Sequence, residues 1–225
     1  MPTHPVFLRL SGRRCVVLGG DAAAAPKARA CRDAGAAVTL IAEDVVPDLA
    51  AAVAAGDITH VQRAYRTGDL AAAFLCYASL ADPAVIEAVR AEATREGVLL
   101  NVIDRPEACD FFAGAVVARD SLQIAVGTDG RSPAAAAHVR RRIEAAIGPE
   151  YGALVAVLGA VRRVVAGRSD RHDVLRTLTD GPLPALLRDR DVAGVDRLLG
   201  DVVGDGCSLA RLGIAPAGTT PDRER

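Results

Sequence analysis

The stretch "CVVLGGDAAAAPKARACRDAGAAVTLIAED", residues 15–44, has the pattern of a βαβ unit. An apolar run, Cys15 to Leu18, leads into Gly19-Gly20. A helix-like segment follows to a turn at Gly35, and a second apolar run, Val38 to Ile41, ends beside Glu43 and Asp44. This is the layout of a dinucleotide-binding turn, in which glycines let the backbone approach a pyrophosphate at a helix N-terminus. The fingerprint G-x-G-x-x-G/A asks for a glycine at position 21, and the chain has Asp21 there. Aspartate is a good N-cap, so its carboxylate is expected to take the free N–H groups that a phosphate would use. Pro26 cannot sit in the second turn of a helix without losing a hydrogen bond, so the helix should begin later than residue 22.

The same alternation continues outward. Helix-like "VPDLAAAVAAG" precedes a short strand near "ITHVQR". An apolar run "AAFLCYAS", a helix "DPAVIEAVRAEATREG" and a strand "VLLNVI" complete the first hundred residues. Strands alternating with helices predict an α/β, Rossmann-like, doubly wound parallel sheet. Its ligand crevice should lie at the carboxyl ends of the strands, where loops 19–22, 79–82 and 101–106 meet. Past residue 113 the pattern changes: "AGAVVARDSLQIAVGTDG" predicts an antiparallel hairpin, and Ser132-Pro133 starts a helix. From 150 to 203 the chain reads as helical, broken at "GRSD" and "DGPLP". The expected organisation is a Rossmann-like dinucleotide-binding domain at 1–113, a small α+β dimerisation region at 114–147, a helical domain at 148–212, and a disordered tail at 213–225.

Composition narrows the function classes. The net charge of −1 gives no field for nucleic acid. No apolar run approaches the ~18 residues that a membrane span needs. The start "MPTHPVFLRLSG" lacks the pattern of a secretory signal. The five cysteines show no C-x-x-C spacing and the four histidines are isolated, so no resident metal site is expected, and buried thiols in a reducing cytoplasm are.

The run "NVIDRPEACDFFAGAVVARDSLQIAVGTDGRSPAAAAHVRRRIE" resembles the precorrin-2 dehydrogenase/sirohydrochlorin ferrochelatase family. That family carries N-V-V-D-x-P, C-x-F-x-x-P-A and S/T-G-G-x-S-P before a helix, and the opening "HPVFLRL" is similar to its start. The match is to the stand-alone form. The resemblance implies a homodimer that binds NAD in its N-terminal half and oxidises precorrin-2 to sirohydrochlorin. In some members Fe2+ is then inserted into the ring.

The resemblance also assigns residues. Asp104 matches the essential aspartate, the catalytic base; read from the residues alone, an Asp before x-Pro caps a turn. Asn101 would hold the loop or bind substrate. Thr128 would face the acidic tetrapyrrole, with Asp129 standing where the family has Gly. Arg119, Arg131 and the run Arg140 to Arg142 are candidate partners for the substrate carboxylates, the run being equally readable as a solvated helix face. Cofactor contacts are expected from Gly19, Gly20, Asp21, Ala22, Ala23, Glu43, Asp44 and Ser79, although Leu80 replaces a family threonine. Asp21 and Leu80 leave an alternative open: a tetrapyrrole metallochelatase for Fe2+ or another divalent metal, or a non-catalytic tetrapyrrole or metal-binding descendant that has lost NAD.

Overall fold

The computed structural model describes residues 3–215. Two compact units emerge from its packing. Residues up to Ala113, joined by Asp129–Arg131, form the first; Gly114–Thr128 and the chain from Ser132 form the second. The segments 114–147 and 148–212 therefore share one unit.

The first unit is a five-stranded parallel sheet. Its strands are β1 (Arg14–Leu18), β2 (Ala37–Ala42), β3 (Thr59–Gln62), β4 (Leu75–Ala78) and β5 (Leu99–Val102), in the order β3-β2-β1-β4-β5. Helices α1 (Ala25–Asp33) and α2 (Pro47–Ala54) cover one face, and α3 (Pro83–Glu96) covers the other. Because both faces are covered, central strands read as unbroken apolar runs: Cys15, Val16, Val17 and Leu18 are all fully buried. Val16, Leu18, Cys76 and Leu100 meet Ile86, Val89 and Ala93 of α3; Cys15, Val17, Leu40 and Tyr77 meet Ala28 and Cys31 of α1 and Leu49 of α2.

Local chemistry sets the helix ends. α1 starts at Ala25, which places Pro26 in the first turn, where its missing N–H costs nothing. Asp82 caps α3 by accepting the Ala84 N–H at 2.8 Å, and Gly97 ends that helix at φ 67°. Near the end of α3, the buried Glu92 accepts the Tyr65 hydroxyl and the N–H groups of Gly68 (3.0 Å) and Leu70 (2.8 Å). This carboxylate fixes the connection between β3 and β4. Burial and the Glu92 contact push the Tyr65 phenol up to about 12.

Among the described residues no sixth strand pairs with the outer side of β5, and the chain covers it itself. Asp110 donates its N–H to Leu100 O (2.8 Å) and accepts the Leu100 N–H with its side chain (2.9 Å). Asn101 donates to Phe111 O at 2.8 Å, and the Phe111 ring packs edge-on against Tyr77, centroids 5.3 Å apart.

In the second unit β6 (Ala115–Arg119) and β7 (Leu122–Val126) form the antiparallel hairpin, turning at Asp120-Ser121. α4 (Pro133–Ala146) packs on it, capped by Ser132. α5 (Glu150–Val164) approaches the hairpin tip at Gly152, where a Cβ would come within 2.3 Å of Asp120 Oδ2. With α6 (Arg171–Asp180), α7 (Leu183–Arg188) and α8 (Val192–Val203), α5 buries a core of Leu154, Val157, Val161, Leu178, Leu183 and Leu199. The helical stretch breaks at the two expected places and at a third, Asp189–Asp191. There Arg190 turns left-handed (φ 57°) and Asp191 caps α8 through the Gly194 N–H at 2.8 Å. Of the expected tail, Ile214 packs on this core and donates its N–H to Leu209 O at 2.9 Å. Residues 216–225 lie outside the described ones.

Candidate active site at the sheet edge

β1 and β4 are neighbours whose connections leave in opposite directions, so the loops after them bound the crevice in which open α/β sheets bind ligands. The backbone there is tightly packed. A Cβ on Gly19 (φ 98°) would lie 2.4 Å from Ser79 O, and one on Gly20 would lie 2.1 Å from Asp44 O. Both glycines are thus demanded by close approach, and Val46 donates its N–H to Gly20 O at 2.8 Å. Three loops (19–24, 43–46 and 79–82) form one wall.

Asp21 sits in the middle of it. Its Oδ1 accepts the N–H groups of Ala23 (3.0 Å) and Ala24 (2.8 Å), and its Oδ2 accepts the Ser79 hydroxyl at 2.7 Å. Partial burial works to raise its pKa. The bonds from Ser79, Ala24 and Ala23 outweigh that and hold the carboxyl below the usual carboxylate range. The side chain thus fills the anion position at the start of α1 and ties the β1 loop to the β4 loop. Sequence pointed to the cap; the partner Ser79, 58 residues away, was visible only as a separate crevice residue. Leu80 packs against the core on the α3 side. Glu43 and Asp44 stand exposed beyond β2, where a ribose would lie.

At the end of β5, Val102 to Arg105 form a turn closed by the Arg105 N–H on Val102 O at 3.2 Å. Asp104 occupies its third place at φ 60°, a left-handed conformation that Gly, Asn and Asp tolerate best. Its carboxylate is exposed and makes no side-chain hydrogen bond or ion pair among the described residues. Asn101, by contrast, is buried and spent on Phe111 O, so it holds the loop and does not reach into the crevice. Sequence reasoning passed over Cys109, whose Sγ lies 3.2 Å from both Val102 O and Arg105 O. The only available signal was the cysteine of the C-x-F pattern.

The remaining expected residues have other partners. Arg119 donates to Ile147 O and Glu144 O, each at 3.0 Å, and so caps the C-terminal end of α4; these donors are not free for a substrate. Thr128 exchanges hydrogen bonds with Ser132 at 3.2 Å, which closes the loop before α4. Asp129 and Gly130 are both left-handed (φ 51° and 72°), which accounts for a glycine at that position elsewhere. Asp129 accepts the Thr3 hydroxyl. Arg131, Arg141 and Arg142 are exposed, and Arg140 pairs with Glu144 at 2.5 Å. Among the described residues no cluster of three His, Cys, Asp or Glu side chains could hold a metal.

Comparison with known proteins is consistent with this geometry. A family model described as putative NAD(P)-binding matches residues 6–115, and one described as sirohaem biosynthesis protein central matches residues 119–146. Siroheme synthase of Methylobacillus flagellatus is 36% identical over 194 residues, covering 86% of this chain and 42% of that protein. Siroheme synthase of Pseudomonas putida (strain F1) is 33% identical over 217 residues, covering 93% of this chain and 46% of that protein. The chain is thus a homologue of the siroheme synthases, matching both an NAD(P)-binding model and a sirohaem biosynthesis model. It spans less than half the length of these curated relatives. A solved structure named SirC, precorrin-2 dehydrogenase, shares the fold: TM-score 0.74 at 21% identity, covering 89% of this chain and 98% of that one. This chain carries a carboxylate, Asp21, where the dinucleotide fingerprint has a glycine, and an exposed aspartate, Asp104, after β5.

Proposed function

We propose that the chain oxidises precorrin-2 to sirohydrochlorin, with NAD+ at the β1–β4 crevice and Asp104 as the base. The observation that carries this reading is Asp104 itself. It is an exposed carboxylate without a side-chain partner, at the ligand edge of the sheet, in a backbone conformation that costs energy. The crevice suits a dinucleotide in its backbone: Gly19 and Gly20 make the tight turn, and Glu43 and Asp44 are free to meet a ribose. Its phosphate cradle suits one only when Asp21 turns away, because Asp21 holds the N–H groups a phosphate would use. NAD+, when bound, supplies the hydride acceptor. Removing two hydrogens from the macrocycle as a hydride and a proton leaves the proton to a protein group, and Asp104 is the carboxylate placed to take it. Residues Gly19 to Ala23, Glu43, Asp44 and Ser79 would hold and orient the cofactor, and take no part in bond breaking. For the polycarboxylated substrate, Arg131, in the same unit as Asp104, offers an exposed cation.

The self-occupied cradle favours a second reading, in which the chain inserts Fe2+ or another divalent metal into sirohydrochlorin. There Asp104 would accept the pyrrole N–H protons that the metal displaces. One variant addresses both. Asp104→Ala should lower whichever rate is present by roughly 10²–10⁴-fold with an unchanged melting curve. Assays of NAD+-dependent precorrin-2 oxidation and of Fe2+ insertion into sirohydrochlorin separate the readings; no rate for the wild type in an assay excludes that reading, and wild-type rates for Asp104→Ala remove Asp104 from the mechanism. The working form is a cytoplasmic homodimer; no single helix among the described residues is long and apolar enough to cross a membrane.

A further inference from the structure

We infer that Cys109 is a positioning residue: its one S–H, shared between the carbonyls on both sides of Asp104, sets where that carboxylate stands. The inference rests on the reading of Asp104 as the base. Asp104 adopts a left-handed conformation and has no side-chain bond among the described residues to hold it there, so its placement depends on the turn. The turn's own closure is a single hydrogen bond, Arg105 N–H to Val102 O, at 3.2 Å. Cys109 adds the second tie. Its Sγ lies 3.2 Å from Val102 O, two residues before Asp104, and 3.2 Å from Arg105 O, one residue after it.

The position of Sγ is itself fixed. A short 3-10 turn, Pro106–Ala108, carries the chain back, closed by the Ala108 N–H on Arg105 O at 2.9 Å. The next residue, Asp110, is locked to Leu100 of β5 by its backbone and its side chain. Cys109 is held between these two anchors. A cysteine that merely filled space would face apolar atoms; this one is half-buried against two carbonyl oxygens. Burial raises its pKa, which keeps the sulfur protonated and able to donate.

The test compares Cys109→Ser, which keeps a donor, with Cys109→Val, which fills the space and loses the donor. Asp104→Ala serves as the reference. With NAD+ and precorrin-2, Cys109→Val should lower kcat roughly 5-fold, about the factor one net hydrogen bond represents. KM for NAD+ should stay within about twofold, and Cys109→Ser should retain most of the wild-type kcat. Amide hydrogen exchange across 103–105 needs no turnover: it should rise roughly 5-fold in Cys109→Val and little in Cys109→Ser. Wild-type exchange and kcat in Cys109→Val, or equal damage in the two variants, overturns the positioning role. An active Asp104→Ala overturns the reading of the base instead, and the exchange result still decides whether Cys109 holds the turn.

Discussion

Asp21 is where a single residue changes what the site can do. A carboxylate and a phosphate about 4 Å apart at an effective dielectric near 20 repel by about 4 kcal/mol, which bounds the effect from above. Asp21→Gly removes that charge and frees the Ala23 and Ala24 N–H groups, while an Asp-to-Gly change at a cap costs only a few tenths of a kcal/mol. The Ser79 hydroxyl loses a partner but stays within reach of water. NAD+ should therefore bind Asp21→Gly roughly 10- to 100-fold more tightly than wild type by calorimetry. Equal affinities would mean that the pyrophosphate takes another path. What a sequence can say at this scale is uneven. The Asp21 cap and the strand-end place of Asp104 follow from local rules about helix starts and turns. The Asp21–Ser79 bond and the engagement of Arg119 with α4 are made by groups distant along the chain, and the Cys109 contacts depend on how the chain folds back after β5. Residue type alone could not distinguish an arginine that caps a helix from one that meets a substrate.

Among the elements, the β3–β4 connection depends most on polar chemistry. Glu92 accepts three donors from a position near the end of α3, at the edge of the sheet opposite the crevice. Glu92→Ala would leave the N–H groups of Gly68 and Leu70 without their acceptor. It should cost about 2–4 kcal/mol in urea unfolding, with the kcat of the folded enzyme unchanged. In the same connection Asp69 accepts two hydrogen bonds from Arg63 at 2.7 Å. The Arg63 guanidinium holds the Asp69 carboxyl below its ordinary value of 3.8. Its folded pKa is depressed, so the stability it adds is complete above that value and is lost as pH falls through the folded pKa. Asp69→Asn should then melt closer to wild type in acid than at neutral pH, by thermal scans between pH 3 and 7. The helices and strands were legible because their apolar spacing and their Gly, Pro and Asp punctuation agree. The break at Asp189–Asp191 was not, because Arg190 adopts the left-handed turn and no glycine announces it.

At the scale of the whole molecule, the hairpin asks for a partner. Its inner positions pack on α4 and α5, while Val116, Ala118, Gln123 and Ala125 face outward, with Val116 46% exposed. A two-stranded sheet with one bare apolar face is marginal in water. A second copy covering it fits the homodimer proposed above. Light scattering at micromolar concentration should report a dimer, and Val116→Glu should shift it to monomer; a wild-type monomer would contradict the arrangement. The sheet of the first unit has the opposite character. Asp110 occupies the outward N–H and C=O of Leu100 and the Arg105 N–H takes Val102 O, backbone groups that a further strand would need. That border is therefore closed to β-augmentation, the route by which exposed sheet edges recruit foreign peptides or nucleate fibrils. At this border, strand exchange between concentrated copies has no template. Asp110→Ala, which removes the side-chain acceptor for Leu100, is the change that would reopen it to aggregation.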